Sequence, residues 1–239
     1  MGKKISIVTV VYNDAINIER TIQSVISQSY DSIEYIVIDG KSTDGTLSIL
    51  QNYKNKIDIL VSEPDKGIYD AMNKGIKKAT GEWIIFMNSG DIFYNQDVLS
   101  NIFNNKIPPE INFIYSDFDV ENLNGTVKHF RASFKKGILL HQAVIYKREL
   151  HNKLGYYHVT SKYIVSDYIF FLTINENETY KTKYTIARNQ AAGVSAANWC
   201  GYQKICCDYI FSRISIYSLI FKLVDRVLKN FIKKTLHIK

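Results

Sequence analysis

The chain predicts an α/β fold, with a mainly parallel central sheet, flanking helices and a basic amphipathic helical segment at its C-terminal end. Three observations predict it. Short β-branched runs alternate with helix-period segments through the first half, the pattern of successive βαβ units. Polar and glycine-containing turns punctuate each change of period. Positive charge gathers at one end: residues 200–239 carry eight Lys/Arg against two Asp, hence six of the seven net charges.

Taken in order, residues 5–11 are β-branched and apolar and end at Asn13-Asp14, as a buried strand would. In 15–28, Ile18, Ile22, Val25 and Ile26 recur at helical spacing, with Asp14 placed to cap the start. Residues 33–38 read as a second strand, and Ser42-Thr43-Asp44-Gly45 offers cap residues for a helix through Leu50. A third strand is expected over 57–61, a short helix over 69–78, and a fourth strand over 82–87 after Thr80-Gly81. Residues 96–105 read as helix and 111–115 as strand.

The second half is mixed. Asn122-Leu123-Asn124-Gly125 signals a hairpin turn between two strand-like pieces. Residues 141–146 are strand-like, and Ser166-Asp167 precedes a buried helix over 168–174. No internal repeat or low-complexity linker interrupts the chain.

Bulk properties narrow the class. An apolar fraction of 46% supplies a core and excludes a disordered chain. Cys200, Cys206 and Cys207 lie close together without a His at ligand spacing, so they do not supply zinc's four ligands and read as reduced thiols on a helix. Met1-Gly2-Lys3-Lys4 passes directly into a strand, without a signal-peptide apolar region. The longest apolar stretch, 209–224, is broken by Arg213 and Lys222, so no membrane-spanning helix is expected.

The last segment has two faces. Ile220, Leu223, Val224, Val227, Leu228 and Phe231 mark one, and Lys222, Arg226, Lys229 and Lys233 the other. Such a helix suits an anionic membrane surface; a surface helix resting on the body is the alternative. Nucleic acid is not the expected partner, because no exposed aromatics interleave with the basic residues for base stacking.

The chemistry sits at strand ends. No Gly-x-Gly-x-x-Gly follows the first strand and no Walker loop is present, which argues against a nicotinamide dehydrogenase and a P-loop NTPase. Instead the first strand ends in Thr9-Val10-Val11-Tyr12-Asn13 and the second in Asp39-Gly40-Lys41-Ser42-Thr43-Asp44-Gly45. Asn88-Ser89-Gly90-Asp91 stands where the fourth strand runs into a polar loop, the place where α/β sheets bind ligands. A carboxylate there, among small residues, suits a metal ion carrying a diphosphate.

The ordered set Ser6-Ile7-Val8-Thr9-Val10-Val11-Tyr12-Asn13, Tyr35-Ile36-Val37-Ile38-Asp39-Gly40, Asp65-Lys66-Gly67-Ile68-Tyr69-Asp70-Ala71-Met72-Asn73 and Asn88-Ser89-Gly90-Asp91 resembles family 2 glycosyltransferases, particularly the bacterial colanic-acid and O-antigen type. The resemblance covers residues 4–95 well and extends more weakly to about 175. It implies a GT-A fold in residues 1–199, with a nucleotide-sugar-binding half (1–95), an acceptor half (96–199) and the basic tail (200–239) outside it.

The resemblance also implies roles. Thr9, Tyr12 and Asp39 would line the nucleoside pocket, with Asp39 on the base. Lys66 and Gly67 would approach the nucleotide, and Asn88 and Ser89 would belong to the same donor site. Asp91 would hold Mg²⁺ or Mn²⁺ against the diphosphate. Asp167 would be the catalytic base, although an acid at a helix start is also a plain cap. His141 and Gln142 would face the acceptor or diphosphate, while His129, His151 and His158 have no comparable context. Two positions depart from the family pattern: Asn88 stands where an acid is common, and Gly40 where a second Asp is common.

The expected function is inverting transfer from a nucleotide-diphosphate sugar, UDP being the family's usual choice, to a polyprenyl-diphosphate-linked saccharide in O-antigen or exopolysaccharide synthesis. The expected location is cytoplasmic, peripheral on the inner face of the bacterial inner membrane. Two alternatives stand beside it. A nucleotidyltransferase would want a Gly-rich basic loop after the first strand, where Tyr12-Asn13-Asp14 stands. A non-catalytic sugar-nucleotide-binding module would bind donor without needing Asp167.

Overall fold

In chain order the elements are β1 (Ile5–Val11), α1 (Ile18–Ile26), β2 (Ile33–Asp39), α2 (Thr46–Asn52), β3 (Ile59–Ser62), α3 (Ile68–Lys78) and β4 (Trp83–Phe86). β5 (Ile92–Phe93), α4 (Val98–Phe103), β6 (Phe113–Tyr115), β7 (Phe118–Glu121), β8 (Val127–Phe130), β9 (Val144–Lys147) and α5 (Leu150–Leu154) follow. α6 (Ser166–Leu172), β10 (Thr179–Lys181), β11 (Ala187–Gln190), α7 (Asn198–Ile210) and α8 (Ile216–Thr235) complete the chain. They come from a computed structural model that describes residues 2–160, 163–191 and 198–235, without the side chains of Asn198, Lys233 and Lys234. Ser161-Lys162, Lys239 and the Lys233 side chain of the expected basic face therefore lie outside the described residues.

A seven-stranded sheet runs β10-β6-β9-β4-β1-β2-β3. β1 is parallel to β2 and β4, β2 to β3, and β6 to β10. β9 runs antiparallel to both β4 and β6, which accounts for the irregular reading of the second half. The chain moves outward from β1 to β3, then returns to place β4 on the other side of β1. That reversal is a topological switch point, and it opens a crevice beyond the C-terminal ends of β1 and β4.

β1 is buried along its whole length because both faces are covered. Ile5 and Ile7 pack with Ile18, Ile22, Trp83 and Ile85 on one face. Val8 and Val10 pack with Met72, Ile76, Ile84 and Phe86 on the other, the period-two division expected of a central strand. A second sheet, β5-β11-β7-β8, contains the expected hairpin, β7 and β8, and brings β11 over the crevice.

Several local expectations are corrected. α1 begins at Ile18, and Asp14 does not cap it with its side chain; its carbonyl accepts from the Asn17 and Ile18 amides. The Asp14 carboxylate instead accepts from Ser89 Oγ at 2.6 Å, tying the first strand end to the fourth. Residues 141–143 form a 3₁₀ turn before β9 starts at Val144. Asp167 sits inside the first turn of α6, whose N-cap is Val165, so it is not a cap either.

The C-terminal segment divides differently from the expectation. Cys207 on α7 packs with Val165, Tyr168 and Leu172 from α6 and its approach, so α7 belongs to the body. The free-standing portion is α8, held to α7 by Arg226 over the Tyr202 ring (5.2 Å) and by Asn230 Nδ2 donating to Tyr202 Oη (3.0 Å). Arg226, expected on the basic face, thus turns inward. Ile220, Phe221, Val224, Val227, Leu228 and Phe231 remain exposed. Among the described residues no helix is long and apolar enough to cross a membrane.

Candidate active site

Backbone pairing continues past the end of β4: the Met87 and Ser89 amides donate to Val8 and Val10 carbonyls of β1. The Asn88-Ser89-Gly90-Asp91 turn is therefore laid along the sheet edge. Thr21 of α1 pins it, its Oγ1 accepting from the Gly90 amide and donating to the Asp91 carbonyl, both at 2.9 Å. A cavity of about 770 Å³ opens in front of this turn, walled by the loop before α3, by β11, and by α6 and α7.

Asp91 is 4% exposed. Its Oδ1 accepts from Asn189 Nδ2 (2.7 Å) and the Gln190 amide (3.0 Å) on β11. Burial pushes its carboxyl up to about 7, although those donors, the Gln142 amide and the Arg20 charge all pull the other way. Beside it the side-chain oxygen of Asn88 is buried and, among the described residues, has no hydrogen-bond partner. A buried acceptor left unpaired in a cavity wall is a place for a cation or a donor group. Among the described residues no three acidic, His or Cys side chains gather as a metal cluster; Asp91 and Asn88 bring a carboxylate and an amide oxygen, and the Asp14 carboxylate, which accepts from Ser89, borders the same cavity.

The Asp65-to-Asn73 motif builds the opposite wall. Asp65 Oδ1 accepts from the Gly67 amide and Asp70 Oδ2 from the Lys66 amide, both at 2.9 Å, and α3 then begins. Gly67 adopts φ +114° and has open space beside it, so its backbone, together with Lys66, borders the cavity unobstructed. A Cβ at Gly40 would stand 2.5 Å from Asp65 Oδ2, so a side chain there would require the Asp65 carboxylate to shift.

One turn apart on α3, Tyr69 lines the cavity and Asn73 is buried behind it. Tyr69 Oη donates to Asp167 Oδ1 at 2.6 Å and accepts from the Ser166 amide at 3.1 Å. Asn73 holds the backbone of Tyr157 on both sides, donating to its carbonyl (2.8 Å) and accepting from its amide (3.0 Å). His141 Nδ1 lies 3.9 Å from Asp167 Oδ2. Burial lowers the His141 pKa and the Asp167 charge partly offsets that. Lys204 of α7 enters the same wall with Nζ 4.3 Å from the Tyr168 ring centre, and burial lowers its pKa against the pull of Asp167 and Asp208.

The predicted residues thus separate. Tyr12, Lys66, Gly67, Asn88, Ser89, Asp91, His141, Gln142 and Asp167 all border one cavity. Thr9 and Asp39 do not. Thr9 is fully buried, its hydroxyl donating to the Met87 carbonyl (2.8 Å) and contacting Tyr35 Oη (3.1 Å). Asp39 is also fully buried, and its carboxylate accepts from the Ser42 amide and from Ser62 Oγ (2.5 Å), so it braces the loop after β2. A strand-end position one residue short of the rim points into the sheet, and sequence order alone does not tell the two apart.

Reading the residues also missed Tyr69, Asn189, Gln190 and Lys204. Tyr69 and Asn73 were legible in principle as an i, i+4 pair of polar side chains on one helix face. Lys204 was assigned with the tail, and nothing in its neighbourhood distinguished it. His151, set aside for lack of context, is buried and hydrogen-bonded to Tyr146 Oη at 2.9 Å.

Comparison with known proteins supplies the class of this site. The profile described as "Glycosyl transferase family 2" matches residues 6–169, which include every polar group named above except those on β11 and α7. A PGL/p-HBAD biosynthesis glycosyltransferase of Mycobacterium tuberculosis is 30% identical over 188 residues, covering 75% of this chain and 72% of its own. The Escherichia coli enzyme WfgD, a UDP-Glc:α-D-GlcNAc-diphosphoundecaprenol β-1,3-glucosyltransferase, is 29% identical over 237 residues, covering 97% and 88%. Among solved structures, residues 1–349 of Staphylococcus aureus TarS with UDP-GlcNAc superpose with a TM-score of 0.68 at 18% identity, covering 99% of this chain and 76% of that one. With its parallel sheet switching at β1 and its polar cavity at the strand ends, the chain has the GT-A fold and belongs to glycosyltransferase family 2, an enzyme of the transferase class.

Proposed function

We propose that the chain transfers a sugar from a UDP-sugar to a polyprenyl-diphosphate-linked saccharide, with inversion at the anomeric carbon, in O-antigen or exopolysaccharide synthesis. The observation that carries this reading is the pair of acids on one cavity, Asp91 among amide donors and Asp167 gripped by Tyr69. An inverting transfer needs a charge-compensating end for the leaving nucleotide and a base for the attacking hydroxyl. The acceptor hydroxyl attacks the anomeric carbon on the face away from the diphosphate, its proton passes to Asp167 Oδ2, and the bond from carbon to diphosphate oxygen breaks.

Tyr12, 64% exposed at the mouth, and the Lys66-Gly67 backbone suit the nucleoside. Asn88, Ser89 and Asp91 suit the diphosphate side. A divalent ion, Mg²⁺ or Mn²⁺, fits there in a minimal way: the Asp91 carboxylate and the buried Asn88 Oδ1 would hold it. When bound it neutralises charge on the departing nucleotide. His141 and Gln142 line the cavity between Asp167 and Asp91, which they contact in turn, and Lys204 adds a cation on the Asp167 side.

WfgD, by its name, uses UDP-Glc and an undecaprenyl-diphosphate-linked GlcNAc, which supports a lipid-linked acceptor here. The exposed apolar residues of α8 support contact with an anionic membrane surface, where such an acceptor would reside, at the inner face of the inner membrane. Screening UDP-, GDP- and dTDP-sugars against lipid-diphosphate saccharides, with and without Mn²⁺, tests the reaction. Transfer from a UDP-sugar that Asp167→Asn abolishes is the expected outcome; transfer indifferent to that change would refute it. Sedimentation with phosphatidylglycerol vesicles tests the membrane contact, and replacing Phe221, Val224 and Phe231 by Ser is expected to release the full-length protein.

A further inference from the structure

Behind Asp167 runs a buried chain of ring and hydroxyl groups that the transfer reaction, as drawn above, does not use. His151 Nδ1 lies 3.0 Å from the Gly155 carbonyl, and its Nε2 lies 2.9 Å from Tyr146 Oη. Tyr146 Oη is 2.7 Å from Tyr157 Oη, which is 3.2 Å from His141 Nε2. His141 Nδ1 ends the series 3.9 Å from Asp167 Oδ2. Four side chains from the 3₁₀ turn, β9, α5 and the segment after it are thus joined in one line.

The direction of every hydrogen bond in that line follows from its far end. A carbonyl only accepts, so His151 Nδ1 carries the hydrogen. His151 is buried beside Arg148 and has no carboxylate partner among the described residues, so it is neutral and its Nε2 is an acceptor. Tyr146 must then donate to His151. Having one proton, it accepts from Tyr157, and Tyr157 in turn accepts from His141 Nε2–H. The imidazole of His141 is left with a lone pair on Nδ1, directed at Asp167.

We infer that this relay makes His141 a positioning residue for the base: Nδ1 is held as an acceptor for the proton that Asp167 Oδ2 takes from the attacking hydroxyl. While Asp167 is ionised, a lone pair faces a carboxylate oxygen and no hydrogen bond forms, in keeping with the 3.9 Å gap. Once Oδ2 is protonated it donates to Nδ1, and Tyr69 continues to hold Oδ1. The Oδ2–H to Nδ1 hydrogen bond is thus gained only as transfer proceeds, an interaction made on the way to the transition state and not in the ground state. No proton is created or lost: the one released by the acceptor hydroxyl stays on Oδ2, shared with Nδ1. The inference rests on the proposed role of Asp167 as base.

Long-range ¹H–¹⁵N correlation spectra of the full chain, labelled at His and assigned with His141→Asn and His151→Asn, read the tautomers without any ligand. Hydrogen on His151 Nδ1 and His141 Nε2, and loss of a single His141 tautomer in Tyr157→Phe, are expected. Hydrogen on His141 Nδ1 would reverse the relay and overturn the inference. In transfer, with the donor and acceptor the screen selects, Tyr157→Phe is expected to lower kcat about tenfold with donor KM within twofold. His141→Asn, whose amide oxygen replaces Nδ1 as acceptor, is expected to retain more activity than His141→Phe. If Asp167→Asn abolishes transfer while Tyr157→Phe and His141→Phe keep kcat within twofold, the inference fails and the base survives. If Asp167→Asn leaves transfer intact, both fall.

Discussion

Asp91 and Asp167 border one cavity, and their surroundings differ in kind. Asp91 is sunk at the sheet edge among N–H donors from β11, with an unpartnered amide oxygen beside it. Asp167 stands on the first turn of α6, gripped at one oxygen by a phenol and facing an imidazole with the other. The first arrangement resists charge unless a cation arrives; the second holds a carboxylate still while leaving one oxygen available for a proton. Two acids with one side-chain chemistry are thus given two tasks by what packs against them.

If that division is real, the two ends fail differently when disturbed. The largest effect is expected from Asp167→Asn, which removes the proton acceptor: kcat should fall about 1,000-fold, within the usual range for a general base, with nucleotide affinity measured by calorimetry unchanged. Tyr69→Phe removes one charge-assisted hydrogen bond, worth about 1.5–3 kcal/mol. It should lower kcat on the order of 30-fold, again without weakening the nucleotide. An equal loss in affinity would show that Tyr69 serves the donor side.

Asn73→Ala touches neither substrate. It frees the Tyr157 backbone, so its cost should appear as a lowered melting temperature and a kcat reduced about fivefold, since about 1 kcal/mol of positioning is lost. The smallest effect separates the two ends by pH alone. Asp91 titrates near 3.8 when unfolded and near 7 when folded. Between those values the folded state holds a proton that the unfolded state has released. The stability this lends is therefore full below pH 4 and gone above about pH 7. Asp91→Asn lacks the effect, so wild type should lose on the order of 5 °C of melting temperature relative to that variant between pH 5 and 8. Mn²⁺ added at pH 8 should recover it if the ion is held there.

The donor end was legible in the sequence for a local reason. β1 to β4 and the turns that leave them are each written in a run of ten or so residues, and the apolar period and the Gly, Asp and Asn at its edges lie side by side. The roles expected of Lys66, Gly67, Ser89 and Asp91 came from the family resemblance, whose motifs lie in that punctuation. The base end is written across the chain. Tyr69 reaches Asp167 over 98 positions and Asn73 reaches Tyr157 over 84, so the residues were visible and their pairing was not. Thr9 and Asp39, assigned to the nucleoside pocket by the resemblance, lie fully buried at the ends of β1 and β2, because alternation says which residues are in a strand but not where the rim begins. Asp14 and Asp167 both looked like caps, since an acid before an apolar run looks the same whether it bonds its own helix or another element. Lys204 was hidden by its surroundings: the charge bias of the last forty residues concealed that α7 closes the cavity while α8 alone stands apart.

The division of labour is tested most directly by measuring nucleotide affinity and turnover together in Asp91→Ala and Asp167→Asn, with Mn²⁺ present. The expected result is a crossed pattern: Asp91→Ala weakens UDP-sugar binding at least tenfold, while Asp167→Asn binds it as wild type does and does not turn it over. Loss of binding in Asp167→Asn, or unaltered binding in Asp91→Ala, would contradict the assignment of the two ends.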